Sequence, residues 1–307
     1  MKRSGARLLR AVAMLLCCMA GPLMASPSVY LVLSGDADAY MRTASTIAYT
    51  LQANLPGVPT IRADVDGFDA HTPAPDDLVV TIGTRAAQEI SRRATGARLI
   101  CTLLTEQSYN DLPATEQSQR TAVFIDQPAA RQLALIRTAL PDWSRVAIVH
   151  GSNSSDFIRA INAAAPAMAL KVRTAEVTDD QTLYSALQSV LATPSVLLAV
   201  PDPKVFNNFT IQNVLLTAYR HRSPVIGFSP AYVRAGAIMA VYSTPEQMGQ
   251  QAAELAALAL SGQALPNAGY PSQFSVSINP HVARSLSIDL PDAATLEARI
   301  RRQEQRQ

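Results

Sequence analysis

Short apolar runs alternate with amphipathic segments along most of the chain. VYLVLSG at 29–35 reads as a buried strand closed by a glycine turn. Residues 40–55 follow at helical spacing, with Met41, Ala44, Ile47, Ala48 and Leu51 on one face, and Pro56-Gly57 ends the segment. Strands are then predicted at 60–65, 77–84, 97–104 and 121–126, with helices at 85–93 and 128–140. The rhythm restarts at 145. Strands are predicted at 145–151, 170–177, 195–202 and 223–228, and helices from 156, at 182–191 and at 209–221. Strands that alternate with helices predict parallel sheets covered by helices on both faces. Two runs of about 100 residues each predict two similar lobes, domains of ordinary size.

The stretch PVIGFSPAYVRAGAIMAVYS at 224–243 sets two short apolar runs side by side, VIGF and AIMAVY, and a helix-length segment at 245–260 follows at once. VIGF closes the second lobe's sheet. AIMAVY is expected to return to the first lobe's sheet, which makes the segment between them a crossover at a cleft. QFSVSIN at 273–279 is expected to cross back. The charged tail RIRRQEQRQ at 299–307 reads as a solvated or frayed helix end.

The N-terminus changes how composition is read. Lys2, Arg3, Arg7 and Arg10 precede an apolar stretch at 11–20 and a small-residue cleavage site at 23–25, the pattern of a signal peptide. The apolar stretch is half the length a bilayer requires. Export to the periplasm with cleavage after residue 25 is therefore expected. Cys17 and Cys18 follow Leu15-Leu16 and Leu16-Cys17, a poor lipobox, so lipoprotein anchoring is the less favoured reading. Cleavage leaves Cys101 as the sole cysteine and excludes an intramolecular disulfide. It also removes four positive charges, taking the formal charge from +2 to −2, and with it any argument for nucleic-acid binding.

Several ordered elements carry a family resemblance. DLVVTIGTRAAQEI from Asp77 and LALIRTALPDWSRVAIVHGSNSS from Leu133 are two of them. The third runs SPVIGFSPAYVRAGAIMAVYSTPEQMGQQAAELAALALSGQALP from Ser223 and continues into SINPHVARSLSIDLP. In order and spacing these resemble the ABC-transporter substrate-binding family of type I periplasmic solute-binding proteins, which includes aromatic amino acid binders. The chain departs from the family pattern in FNNF at 206–209. The resemblance implies an α/β fold of two Rossmann-like lobes with parallel sheets, joined by three crossover strands. Its expected bounds are a signal peptide at 1–25, lobe 1 at 26–125 plus 231–268, and lobe 2 at 126–230 plus 269–307. It also implies a small-molecule ligand, such as an amino acid, held between lobes that close by hinge motion. The implied partner is an ABC permease in the inner membrane; a membrane receptor or sensor kinase is the alternative. No cofactor is implied.

Ligands of parallel α/β sheets sit beyond the carboxyl ends of the strands, where helix N-termini offer free N–H groups. Gly83, Thr84 and Arg85 qualify by position, since Arg can pair a carboxylate with two parallel hydrogen bonds. Ser152, Asn153, Ser154 and Ser155 offer hydroxyl, amide and backbone donors, though the same residues serve as ordinary N-caps. Asp202 can hold a ligand ammonium, or cap the next helix. Ser34 and Asp36 after the first strand, and Phe228, Ser229 and Tyr232 in the crossover, complete the candidates. The aromatic rings can stack on a flat ligand.

Enzyme readings fare worse. GFSPA at 227–231 imitates a nucleophile elbow, but the residue after the serine must donate an oxyanion N–H, and Pro230 has none. His71, His150, His221 and His281 are isolated, without metal-ligand spacing. There is no GxxxxGK[ST] loop and no GxGxxG after a strand. Cys101 in an apolar strand reads as buried and inert.

Overall fold

A computed structural model describes residues 27–70, 72–93, 96–113, 120–178, 182–202, 204–207 and 209–306. The signal peptide expected at 1–25, with Cys17 and Cys18, and His71 lie outside these ranges.

The first sheet has five parallel strands in the order β2-β1-β3-β4-β5. They are β1 (Val29–Leu33), β2 (Thr60–Asp64), β3 (Leu78–Ile82), β4 (Arg98–Leu104) and β5 (Arg120–Phe124). The three inner strands are almost wholly apolar because both faces are covered. On one face lie α1 (Asp38–Asn54) and the long helix Pro245–Leu260; on the other lie a 3₁₀ turn (Val65–Ala70) and α2 (Thr84–Arg92). A short helix, α3 (Glu106–Asn110), follows β4.

The second sheet has the order β11-β10-β9-β8-β6-β7. Its strands are β6 (Arg145–His150), β7 (Lys171–Glu176), β8 (Val196–Leu198), β9 (Val225–Gly227), β10 (Met239–Tyr242) and β11 (Ser275–Ile278). All pairings are parallel except β10 with β11. Around it pack α4 (Ala129–Ala139), α5 (Ser155–Ala164), α6 (Thr182–Val190), α7 (Ile211–Arg220), α8 (Pro230–Ala235), α9 (Pro245–Leu260), α10 (Pro280–Ser285) and α11 (Ala293–Glu304), except that α9 leaves for the first lobe. There α9 lies along α1. Gly249 permits the close approach, since a Cβ at this position would stand 2.8 Å from the Thr43 carbonyl oxygen.

The architecture expected from the sequence is present, with two corrections. AIMAVY does not return to the first sheet: β10 pairs in parallel with β9, Met239 beside Ile226 and Ala240 beside Gly227, and antiparallel with β11. The 11 residues between β9 and β10 include the short helix α8, and this is enough for a compact crossover within one sheet. The crossing to the first lobe therefore comes after β10, at 243–244, and not near 231. The charged tail is a solvated helix end, with Arg299, Arg302, Gln303, Gln305 and Arg306 exposed, but it is not frayed, since α11 runs to Glu304. Leu296 and Ile300 of α11 are buried in the second lobe's core, and Arg301 donates to the Phe274 carbonyl at 2.7 Å.

Three segments thus pass between the lobes: 125–128 between β5 and α4, 243–244 between β10 and α9, and 270–274 ahead of β11. Just before the last, Gly269 adds to the edge of the first sheet, giving its carbonyl to Phe124 and its N–H to Ala122. Among the described residues no helix is long and apolar enough to cross a membrane.

Candidate functional site

The carboxyl ends of β4 and β5 in one lobe and of β6 and β8 in the other border a cavity of about 330 Å³. The first lobe contributes Thr105, Glu106, Gln107, Asn110 and Asp111. The second contributes Ser152 to Phe157, Val200, Pro201 and Gln132. Asp126 and Tyr270 enter from the first and third interlobe segments.

The first-lobe rim is built by a break in β4. Leu103 adopts a left-handed backbone, φ 55°, where the register against β5 slips between Thr102 and Leu104. Such a conformation is uncommon for a leucine and marks a bulge that re-aims the chain. Thr105 then caps α3, its Oγ1 accepting from the Ser108 N–H at 3.0 Å. The Glu106 N–H donates to the Asp126 carboxylate at 2.7 Å, and the Tyr270 hydroxyl donates to the Glu106 carboxylate at 2.5 Å. Burial pushes the Asp126 carboxyl up to about 6; the Glu106 N–H opposes the shift and the Glu106 charge adds to it. Tyr270 is pushed upward as well, first by burial and then by its bond to Glu106.

The second-lobe rim is the loop 151–155, and Asp202 fixes it. This carboxylate, 2 % exposed, accepts from the Gly151 N–H at 2.7 Å, the Ser154 hydroxyl at 2.6 Å and the Lys204 N–H at 3.0 Å. Its bonds are internal to the lobe, and it lies behind the rim and not among the lining residues. A buried carboxylate is stable there because three donors replace water.

The sequence-predicted residues are therefore divided by the fold. Ser152, Asn153, Ser154 and Ser155 line the cavity together. Ser34, Gly83 and Thr84 form a turn: Ser34 Oγ accepts the Ala86 N–H at 2.9 Å and caps α2 from a neighbouring strand. Gly83 has φ 96°, and a Cβ there would stand 2.5 Å from that hydroxyl, so glycine is required. Asp36 and Arg85 border a separate open depression on the first lobe, where Arg85 pairs with Asp66. The rings of Phe228 and Tyr232 lie 4.3 Å apart between centroids, tilted by 43°, and meet Phe206 edge-on, a trio packed on the second lobe's core; Ser229 precedes α8. Burial raises the Tyr232 hydroxyl to about 12.

Of the lining residues, sequence reasoning missed Thr105, Glu106, Gln107, Asn110, Asp111, Asp126, Gln132, Asp156, Phe157, Val200, Pro201 and Tyr270. Two signals for some of them exist: an acid directly after the apolar run TAVFI, and the cap pattern Thr105-Glu-Gln-Ser108 after ARLICTLL. Tyr270 has no local signal, because its place depends on how Gly269 joins the first sheet.

The sequence model of the family described as ABC transporter substrate binding protein matches residues 70–300. No curated protein matches the chain significantly. Solved structures resemble it over most of its length. A conserved domain protein from Vibrio cholerae is 20% identical, with 89% of this chain and 98% of that one covered and a TM-score of 0.59. An ABC domain from Streptococcus pneumonia, in complex with L-Trp, is 18% identical, with 89% and 98% covered and a TM-score of 0.60. The ligand-free, open form of a Clostridium difficile substrate binding protein with adhesive properties is 16% identical, with 87% and 96% covered and a TM-score of 0.71. At these identities the likeness shows a shared fold.

Proposed function

Because the chain belongs to the ABC transporter substrate binding protein family, we propose that it captures a small organic molecule in the interlobe cavity and delivers it to an ABC permease. The compartment is the periplasm, reached by a cleaved signal peptide. One observation carries the reading: a single cavity is lined by both lobes and by two of the three segments that join them. A ligand there contacts both lobes when they close and fewer groups when they part, so it shifts the equilibrium by its differential affinity for the closed form. The ligand class that the family resemblance implies is an amino acid. The carboxylates of Glu106 and Asp126, the hydroxyls of Ser152, Ser154 and Ser155 and the Asn153 amide support a polar, hydrogen-bonding ligand of that size. The candidate binding residues are accordingly those of the cavity; the Gly83–Arg85 turn and the Phe228–Tyr232 ring pair are scaffold in this reading.

A thermal-shift screen tests it. The mature chain, unfolded and refolded to strip carried ligand, is screened against amino acids, nucleosides, sugars and small organic acids. A ligand that binds only the native state at a hundredfold excess over its Kd adds about 2.7 kcal/mol of stability, a rise of several degrees. A shift confined to one chemical class names the substrate; a flat response to every class sinks the reading.

A further inference from the structure

The charged side chains that line the cavity are all of one sign. Glu106, Asp111, Asp126 and Asp156 line it, and among the described residues no lysine, arginine or histidine does. Asp156 is exposed and paired with Arg159 at 3.0 Å. Asp111 is exposed at the rim. Glu106 and Asp126 are partly buried and linked: the Glu106 N–H donates to Asp126, and Tyr270 donates to Glu106. A molecule that fills the cavity displaces water from both carboxylates. That desolvation is costly unless the incoming group brings positive charge and donors. An ammonium brings both, with three N–H donors to divide between two carboxylates. Among the described residues that line the cavity, none offers a ligand carboxylate a cationic side chain. The N-terminal ends of α3 and α5 would attract it, and Glu106 and Asp156 in the first turns of those helices oppose the attraction.

We propose that the cavity takes organic amines, with the amine held by Glu106 and Asp126 beside Tyr270, and that a carboxylate on the ligand is dispensable. This rests on the reading of the cavity as the ligand site. The amine position also has a mechanical consequence. Asp126 and Tyr270 belong to two of the three interlobe segments, and their neighbours Gln127 and Pro271 are both held by Arg131. An ammonium there relieves carboxylate repulsion at the hinge itself, so ligand charge is read where the lobes rotate.

Titration calorimetry with matched probes tests this. One set is L-phenylalanine, phenethylamine and 3-phenylpropionate; the other is L-ornithine, putrescine and valerate; D-glucose and myo-inositol are the neutral probes. In at least one set the amine binds as tightly as the amino acid or tighter, the deaminated acid gives no heat, and Glu106→Gln or Asp126→Asn weakens the amine at least tenfold. The proposal is overturned if no amine binds, if an acid binds as well as its amine, if an amino acid binds more than tenfold tighter than its amine, or if neither variant changes affinity. Ser155→Trp, checked for folding by circular dichroism, separates this from failure of the cavity reading. Glucose or inositol binding that Ser155→Trp abolishes keeps the cavity and removes the amine. Binding of any probe that survives Ser155→Trp removes the cavity.

Discussion

Gln127 donates a 3.0 Å hydrogen bond from Nε2 to the Oγ of Ser243, 116 residues away, and so ties the first interlobe segment to the second. Ser243 passes the bond on, its hydroxyl donating to the Gln273 carbonyl of the third segment at 2.6 Å. Arg131 completes the circuit, donating to Gln127 Oε1 at 2.9 Å and to the Pro271 carbonyl at 2.8 Å. Three strands of chain that share no sheet at this point are thus held in register by side chains. A hinge built this way can bend at the backbone while its pivot stays fixed.

Ser243→Ala removes the acceptor of Gln127 and the donor to Gln273 in a site where Gln127 and Ser243 are both buried. Leaving buried polar groups unpaired costs about 1–3 kcal/mol. The expected result is an unfolding free energy lower by that amount, read as a lower urea midpoint with an unchanged slope. A midpoint equal to wild type would show that the segments are held by packing alone.

Glu304 grips the same pivot from the C-terminal helix. Both its oxygens accept from Arg131, at 2.6 and 3.1 Å, and the guanidinium also lies 4.3 Å from the Phe274 ring centroid. The Arg131 side chain is 6% exposed and Glu304 33%, so the pair is neither a surface bridge nor fully dry. Glu304→Gln keeps the shape and one acceptor and is expected to cost about 1–2 kcal/mol, below the 3–5 of a fully buried pair. Truncation after Ala298 removes Ile300 and Glu304 together and is expected to lower the melting point by much more. A truncated chain that melts like the full one would restore the frayed-tail reading.

Asp202 is expected to act on stability first. Asp202→Ala strips three donors of their acceptor and frees the 151–155 loop. Bonds to a charged group contribute about 1.5–3 kcal/mol each, so the loss is expected near 3 kcal/mol after partial rehydration. Chemical denaturation measures it. A variant as stable as wild type but unable to bind would return Asp202 to direct ligand contact.

Much of the fold was legible because strand and helix periodicities were clean. Leu31, Val80 and Ile100 sit in strands with both faces covered, and the Thr244 to Leu260 segment carries its own capping box, Thr244 with Gln247. What escaped depended on tertiary pairing. AIMAVY is apolar enough for either sheet, and only β9 and β11 decide which. The candidate site was half legible for the same reason. Ser152 to Ser155 announce themselves as a polar loop after a strand. Asp126 and Tyr270 are 144 residues apart and become neighbours only when Gly269 adds to the first sheet. Asp202 looked identical to a ligand-facing acid, and its saturation by Gly151, Ser154 and Lys204 is a matter of folding alone.

Asp126 gives the protein a pH dependence whose sign can be worked out. Its carboxyl rises from an ordinary 3.8 to about 6, chiefly through burial, with Glu106 as the neighbouring like charge; Tyr270 and the Glu106 N–H are the other groups set against this pair. A folded-state pKa raised above the unfolded value means that the folded chain holds the extra proton. The contribution to stability is therefore fully present below about pH 4 and is lost as pH rises to about 6. Glu246 and Asp292 are shifted downward and act in the opposite sense, so the total profile mixes both. The difference between wild type and Asp126→Asn isolates the group. Between pH 4 and pH 6.5 the melting point of the ligand-free wild type is expected to fall relative to that of the variant. An amine that needs the ionised carboxylate is expected to bind wild type more weakly as pH drops through 6, and to bind the variant with a flatter profile. Parallel melting curves across that range would mean that water reaches Asp126 freely and that its carboxyl titrates as an ordinary surface acid.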